Sequence, residues 1–151
     1  MNTVLIFHSL LRWLVLLFGV LTVFTAMSGL AGKRNYTTAD NKMNLFFMIS
    51  CDIQLLLGLA LYFGGPWFDR IKTLGMKDHE SRFFTMEHGL MMILAWILVH
   101  VGRVKVKKAL TAAAKYKRTL IYFGIALLLI LVSIPWPFRA IIGRPLFHWF
   151  S

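Results

Sequence analysis

The chain contains four apolar stretches that are each long enough to cross the hydrocarbon core of a membrane. They cover residues 3–30, 44–64, 84–102 and 119–135. A helix needs about 20 residues to cross a core of about 30 Å, and lipid offers no hydrogen-bond partners to an irregular backbone. The sequence therefore predicts an all-α integral membrane protein, with residues 1–151 forming a single domain whose four transmembrane helices make an up-down bundle.

The segments between and after these stretches are short and polar. Residues 67–82 carry charges of both signs and are predicted to form an outer loop. The sequence Pro135-Trp136-Pro137 ends the fourth helix, because proline does not continue a helix. The tail, residues 138–151, mixes apolar and basic side chains, so we expect it to lie in the membrane interface without crossing again.

The formal net charge of +11 is distributed unevenly along the chain. Residues 32–43 and 102–119 together carry ten basic residues, whereas the opposite face carries six, offset by acidic residues. The positive-inside rule then predicts two cytoplasmic loops and both termini on the periplasmic side of a bacterial inner membrane. We expect these loops to attract anionic lipid headgroups, and this membrane explanation of the charge makes a nucleic-acid partner unnecessary.

Two histidines lie at matching depths in the first and third stretches. His8 is about five residues into the first stretch and His88 about four into the third, and both helices run in the same direction. At about 1.5 Å per residue the two side chains should agree in depth to within a few ångström. Helices one and three are diagonal in an up-down bundle, and facing histidines in such a bundle are typical of a cofactor site. His8 and His88 are therefore the predicted axial ligands of one haem iron.

Arg12 lies one helical turn after His8 and is a candidate partner for a haem propionate. Asp52 and Gln54 in the second helix are predicted at a similar depth, so each is also a candidate partner for Arg12. A charge pair between Arg12 and Asp52 is the favoured interpretation, because an unpaired arginine inside a membrane is costly. Outer-face alternatives for binding the propionates are Arg70, Lys72 and Arg82.

The remaining histidines are assigned other positions. His100 lies about 18 Å along the helix from His88, so we expect it to cap the inner end of that helix or to contact headgroups. His79 and His148 are predicted in the outer loop and the tail, as substitute ligands if the helix registration is shifted. A zinc site would need three or four ligands. Here His8, His88 and Glu87 supply three, although Glu87 and His88 point about 100° apart.

Several segments resemble a group of small bacterial four-helix membrane proteins described as cytochrome b-like. The segments are HSLLRW at 8–13, DIQLLLG at 52–58, RFF at 82–84, EH at 87–88 and HVGR at 100–103. The similarity extends over nearly the whole chain, to residues 134–136. The resemblance implies a haem b protein of respiratory or related membrane electron transfer. Unlike larger di-haem cytochromes b, the chain lacks paired histidines at both membrane levels.

The sequence thus predicts a mono-haem b electron carrier, with a quinone, a cytochrome or another subunit as its electron-transfer partner. Ligation by two histidines leaves no open position on the iron, so a carrier or subunit is favoured over a stand-alone enzyme. One alternative is a haem-free accessory or assembly subunit of a larger membrane complex, in which the histidines join helices. Another is a small transporter with Arg12 and Asp52 on a polar path.

Overall fold

The computed structural model describes residues 2–147, which form five helices and no strand. The helices are α1 (Asn2–Ala31), α2 (Thr38–Gly64), α3 (Trp67–Leu74), α4 (His79–Lys107) and α5 (Ala112–Ser133). Helices α1, α2, α4 and α5 are long and apolar enough to cross a membrane. The all-helical fold and the four apolar spans of a multi-pass membrane protein are therefore confirmed.

Three of these helices begin earlier than hydropathy predicts, because capping side chains start them in polar sequence. The Thr37 side chain accepts from the Asp40 backbone N–H, and Asp40 accepts from the Thr37 N–H in return, so a capping box starts α2. Thr111 caps α5 and Asp78 caps α4. Hydrogen bonds from Ser81 hold the pKa of Asp78 below its ordinary value.

The prediction of a loop at residues 67–82 is wrong in part, because this segment contains α3 and the start of α4. Helix α3 ends at Gly75, whose φ of 72° is a left-handed conformation that glycine adopts without strain. Trp67 stacks on Phe84 with ring centroids 4.7 Å apart. This stacking holds α3 against the beginning of α4.

Each spanning helix packs mainly against two others. Helix α1 packs against α2 and α5, and α4 packs against the same two helices. The buried core between them includes Val15, Phe47, Val99, Phe123 and Ile130. Many large apolar side chains remain on the outside of the helices, as expected of a surface that meets lipid.

One end of the helices carries the α1–α2 and α4–α5 turns and is called the basic end here. Its centre is the buried carboxylate of Asp40, which accepts hydrogen bonds from the Arg34 guanidinium, Thr37 and the Tyr116 hydroxyl. The hydrogen bonds to Asp40 raise the pKa of Arg34 above its ordinary value. Arg103 donates to the Asn41 side chain. These contacts join α2, α4, α5 and the α1–α2 turn at this end.

The described part of the tail, to Phe147, turns back toward α1. The Gly143 N–H donates to the Arg139 carbonyl, and the Arg144 N–H donates to the Pro135 carbonyl. Phe147 stacks on Trp13 with ring centroids 5.5 Å apart. The tail therefore lies against the end of the helices opposite the basic end and, as far as residue 147, does not cross again.

Candidate cofactor site

A cavity of about 890 Å³ lies between the helices at the end opposite the basic end. Side chains from α1, α2, α4 and α5 line it, together with Trp67 of α3 and Arg144 of the tail. Most of the lining is apolar. Its polar side chains include His8, Arg12 and His88. Size and lining both match the cavities that bind cofactors, which have volumes of about 300–1,000 Å³.

The structure brings His8 and His88 together in this cavity. Their ring centroids are 6.5 Å apart and the ring planes are inclined by 70°. His88 follows a π-helical turn, Phe83–Glu87, and its N–H donates to the carbonyl of Phe83. Such turns are frequent at functional sites. The Phe83 ring packs 5.8 Å from the imidazole of His88, so the turn and its phenylalanine set the position of that ring.

The hydrogen bond made by His88 leaves one ring nitrogen available. Its Nδ1 lies 2.9 Å from the carbonyl oxygen of Ser133 in α5. Because a carbonyl only accepts, we assign the proton to Nδ1 and the free lone pair to Nε2. A metal-bound histidine is commonly oriented by a backbone carbonyl in this way.

His8 is positioned by α2. Its backbone carbonyl accepts a hydrogen bond of 3.0 Å from Nε2 of Gln54. Its ring packs against Gly58, where an added Cβ would lie 3.3 Å from His8 Cε1. The Nδ1 of His8 is buried and has no hydrogen-bond partner within residues 2–147. The space beside the ring therefore depends on the absence of a side chain at position 58.

The distance between the two rings fits joint ligation of one metal ion. Two metal–nitrogen bonds of about 2.0–2.1 Å place the donor nitrogens about 4 Å apart and the ring centres roughly 6 Å apart. The observed separation of 6.5 Å is close to this value. With the adjoining cavity, the two histidines fit a flat, largely apolar cofactor that is ligated from both sides.

Among residues 2–147, no third metal ligand joins this pair. Within residues 2–147, no group of three or more histidine, cysteine, aspartate or glutamate side chains is placed to hold a metal ion. Glu87 is exposed and its Oε1 accepts from Nε of Arg82 at 2.7 Å. The three-ligand zinc site of His8, His88 and Glu87 is therefore wrong.

Arg12 lines the cavity but pairs with neither predicted partner. Its guanidinium donates to the carbonyl of Leu146 in the tail, and its Nε is buried without a partner in the described part of the chain. Gln54 bonds to the carbonyl of His8 instead. The predicted Arg12–Asp52 pair is wrong, because the returning tail offers Arg12 a carbonyl that hydropathy cannot place.

Asp52 instead meets α4. Its Oδ1 accepts a 2.7 Å hydrogen bond from Nε1 of Trp96 and lies 3.2 Å from Nε2 of His100. The Nδ1 of His100 is 3.0 Å from the carbonyl of Trp96. His100 does not cap the inner end of its helix, which continues to Lys107, and its ring turns toward the carboxylate on the neighbouring helix.

The other candidates that the structure describes lie outside the cavity. His79 is exposed, with Nδ1 3.1 Å from the Arg82 guanidinium, and His148 is outside the described residues. Arg70 is paired with Glu80 at 2.8 Å. Lys72 is exposed on α3.

Sequence reasoning missed several residues that shape the cavity. Arg144 lines it, pairs with Glu80 and lies over the Phe84 ring at 4.9 Å. The carbonyl of Ser133 and the gap at Gly58 are further parts of the site, and only Gly58 lies in a segment that the resemblance singled out. Comparisons with protein-family models, with characterised proteins and with solved structures find no match to this chain, so the resemblance to cytochrome b-like proteins stays an expectation from its sequence.

Proposed function

We propose that this protein is a membrane electron carrier with one haem b, whose axial ligands are His8 and His88. The observation that carries the proposal is the pair of imidazoles 6.5 Å apart beside an apolar cavity of about 890 Å³. When bound, the haem supplies reversible one-electron chemistry at its iron. Because His8 and His88 would both ligate the iron, no position would be left for a substrate, and this favours electron transfer over chemistry on a substrate.

The protein residues hold and orient this group. The Ser133 carbonyl keeps the proton of His88 on Nδ1 and directs Nε2 away from α5. Gln54 anchors the His8 backbone from α2. Arg12 and Arg144, both on the cavity wall, supply positive charge for the two carboxylates of haem b. The apolar remainder of the lining excludes water, and burial of this kind tunes a haem's reduction potential.

The membrane setting follows from charge. We propose an up-down arrangement in a bacterial inner membrane, with the basic end cytoplasmic and the termini periplasmic. Ten basic residues in segments 32–43 and 102–119 support this orientation, and anionic headgroups are the proposed lipid partners there. The haem would lie near the periplasmic side. Its proposed electron-transfer partner is a quinone, a cytochrome or another subunit, and the last of these would make the protein part of a larger membrane complex.

The test is an absorption spectrum of protein purified in detergent from haem-sufficient cells. We expect a Soret band with a haem-to-protein ratio near one. His8→Ala and His88→Ala should each lose most of the haem, because each removes one axial ligand. His79→Ala is the matched control, since this histidine is exposed and lies outside the cavity, and it should keep the full haem content.

Two results would contradict the proposal. The first is the absence of any chromophore in folded wild-type protein, and the second is unchanged haem content in both ligand variants. Chromophore-free protein that copurifies with partners at fixed stoichiometry would instead support the haem-free accessory or assembly subunit.

A further inference from the structure

Asp52 and His100 form an ionisable pair on the side of the bundle that faces the membrane. The side chain of Asp52 is 36% exposed and that of His100 is 34% exposed, in the groove between α2 and α4. Asp52 lies near the middle of α2, about 18 Å or more along the helix from either end. Ionisable groups at such depth almost always face a protein interior or a water-filled cavity. Because the side chains of Asp52 and His100 are instead partly exposed at this depth, we expect a polar group from within the membrane to bind them.

The hydrogen bonds within the pair leave one acceptor free for such a partner. Both neighbouring donors approach Oδ1 of Asp52, and Oδ2 accepts no hydrogen bond from residues 2–147. Both nitrogens of His100 face oxygen acceptors, Nδ1 the Trp96 carbonyl and Nε2 the carboxylate. The donors of the pair are therefore engaged within the protein, and the pair offers one free acceptor, Oδ2 of Asp52, at the surface.

The pair is next to the cofactor cavity. Cys51 and Gln54 line the cavity on either side of Asp52 in the sequence, and the Trp96 indole both lines the cavity and donates to Asp52. The lining also includes Leu90 and Ile93, whose side chains are exposed on the outer surface of α4. The cavity therefore reaches the membrane-facing surface, where α2 and α4 make the sparsest contact among the four packed pairs.

We propose that Asp52, oriented by His100, binds the head group of a membrane-soluble quinol in the groove between α2 and α4. This inference rests on the proposed electron-carrier function and selects one of its possible partners. A quinol hydroxyl donates to the free Oδ2 of Asp52, while His100 and Trp96 hold the carboxylate through Oδ1. Exposed Ile53, Leu56 and Ile97 beside the pair provide an apolar surface for the isoprenoid tail. A water-soluble cytochrome does not reach a site at this depth.

The experiment measures binding of decylubiquinol to detergent-purified protein by quenching of tryptophan fluorescence. Specific binding is the saturable part of the quenching, because simple partitioning into the micelle gives a response that does not saturate. Asp52→Asn and His100→Gln each keep a polar side chain of similar size. Each should raise the dissociation constant by roughly tenfold, the effect of one or two hydrogen bonds. His79→Ala is the protein control, because it removes an exposed histidine remote from the groove.

The same titration is repeated on His8→Ala, which separates this inference from the haem proposal. Retained quinol affinity in that haem-depleted variant, with weakened affinity in Asp52→Asn and His100→Gln, supports the site. Wild-type quenching that does not saturate overturns it, whether or not a Soret band is present. Unchanged quinol affinity in both groove variants also overturns it. A lowered melting temperature in the same variants would then assign the pair to helix packing or to contact with another protein.

Discussion

Gly29→Ala tests how tightly α1 and α5 pack at the basic end. An added Cβ at position 29 would lie 2.3 Å from Cζ of Tyr116 and 2.6 and 2.7 Å from its Cε1 and Cε2. Ordinary contact begins near 3.4 Å, so the ring or the helix must move by about 1 Å. The ring has little freedom, because Tyr116 is fully buried and its hydroxyl is 3.0 Å from the Asn35 carbonyl and 2.9 Å from the Asp40 carboxylate.

The expected cost combines three effects. Overpacking a rigid site costs about 1–3 kcal/mol, and displacing a buried hydroxyl from its acceptors costs about 1–3 kcal/mol more. Replacing glycine by alanine within a helix returns about 1 kcal/mol. We therefore expect a net loss of about 3 kcal/mol in the free energy of unfolding. In a chain of this size that corresponds to a melting temperature lowered by about 6–12 °C, measured by circular dichroism in detergent micelles.

The control for Gly29→Ala is Gly124→Ala, where an added Cβ meets nothing within 4 Å. That substitution should leave the melting temperature unchanged or raise it slightly, through helix propensity alone. In a Tyr116→Leu background, which removes the obstructing ring, Gly29→Ala should cost much less than in the wild type. Equal costs in the two backgrounds, or equal effects of the two glycine substitutions, would refute the packing argument.

Two further substitutions test the basic end and the cavity. Asp40→Ala should lower the free energy of unfolding by about 2 kcal/mol, because this carboxylate takes part in the capping box of α2 and accepts a hydrogen bond from the Tyr116 hydroxyl. The control is Asp69→Ala at an exposed position, which should change the free energy of unfolding by less than about 0.5 kcal/mol. Equal melting temperatures of the two variants would contradict a structural role of Asp40. Gly58→Leu should displace the His8 ring and at least halve the haem content, measured as Soret absorbance per protein. Full haem content in this variant would show that the position of the His8 ring does not depend on the absence of a side chain at position 58.

The four spans and the adjacency of His8 and His88 could be predicted from the sequence, because both depend only on the position of a residue along its helix. Continuous apolar stretches locate the four spans, because lipid imposes a minimum length on each. The adjacency of His8 and His88 follows similarly, since equal depth on helices that run in the same direction brings two side chains to one level. Neither argument requires knowledge of which helices touch. What binds between the two histidines is still a prediction.

The features that the sequence could not give depend on rotation and on segments without periodicity. Asp52, Gln54 and Arg12 have similar depths, yet Asp52 faces α4 and Gln54 faces α1. Depth alone does not distinguish these directions, because they depend on the rotation of α2 about its axis. The partner of Arg12 comes from the tail, whose return to α1 is set by local turns. The early helix starts have the same origin, since caps in polar sequence carry no hydropathy signal.

Whether a buried polar atom has a hydrogen-bond partner helps to distinguish structural from functional residues in this protein. At the basic end, the Asp40 carboxylate is enclosed by donors from α2, α5 and the α1–α2 turn, so nothing further is needed to bind it. The cavity differs, because buried atoms of His8, Arg12 and Gln54 lack partners there within the described chain. Leaving a buried polar group unpaired costs about 1–3 kcal/mol. Including the Ser9 hydroxyl, four such atoms belong to residues that line this cavity, and a polar-edged ligand there would give them partners; at the basic end the described chain leaves Nε of Arg103 in the same state.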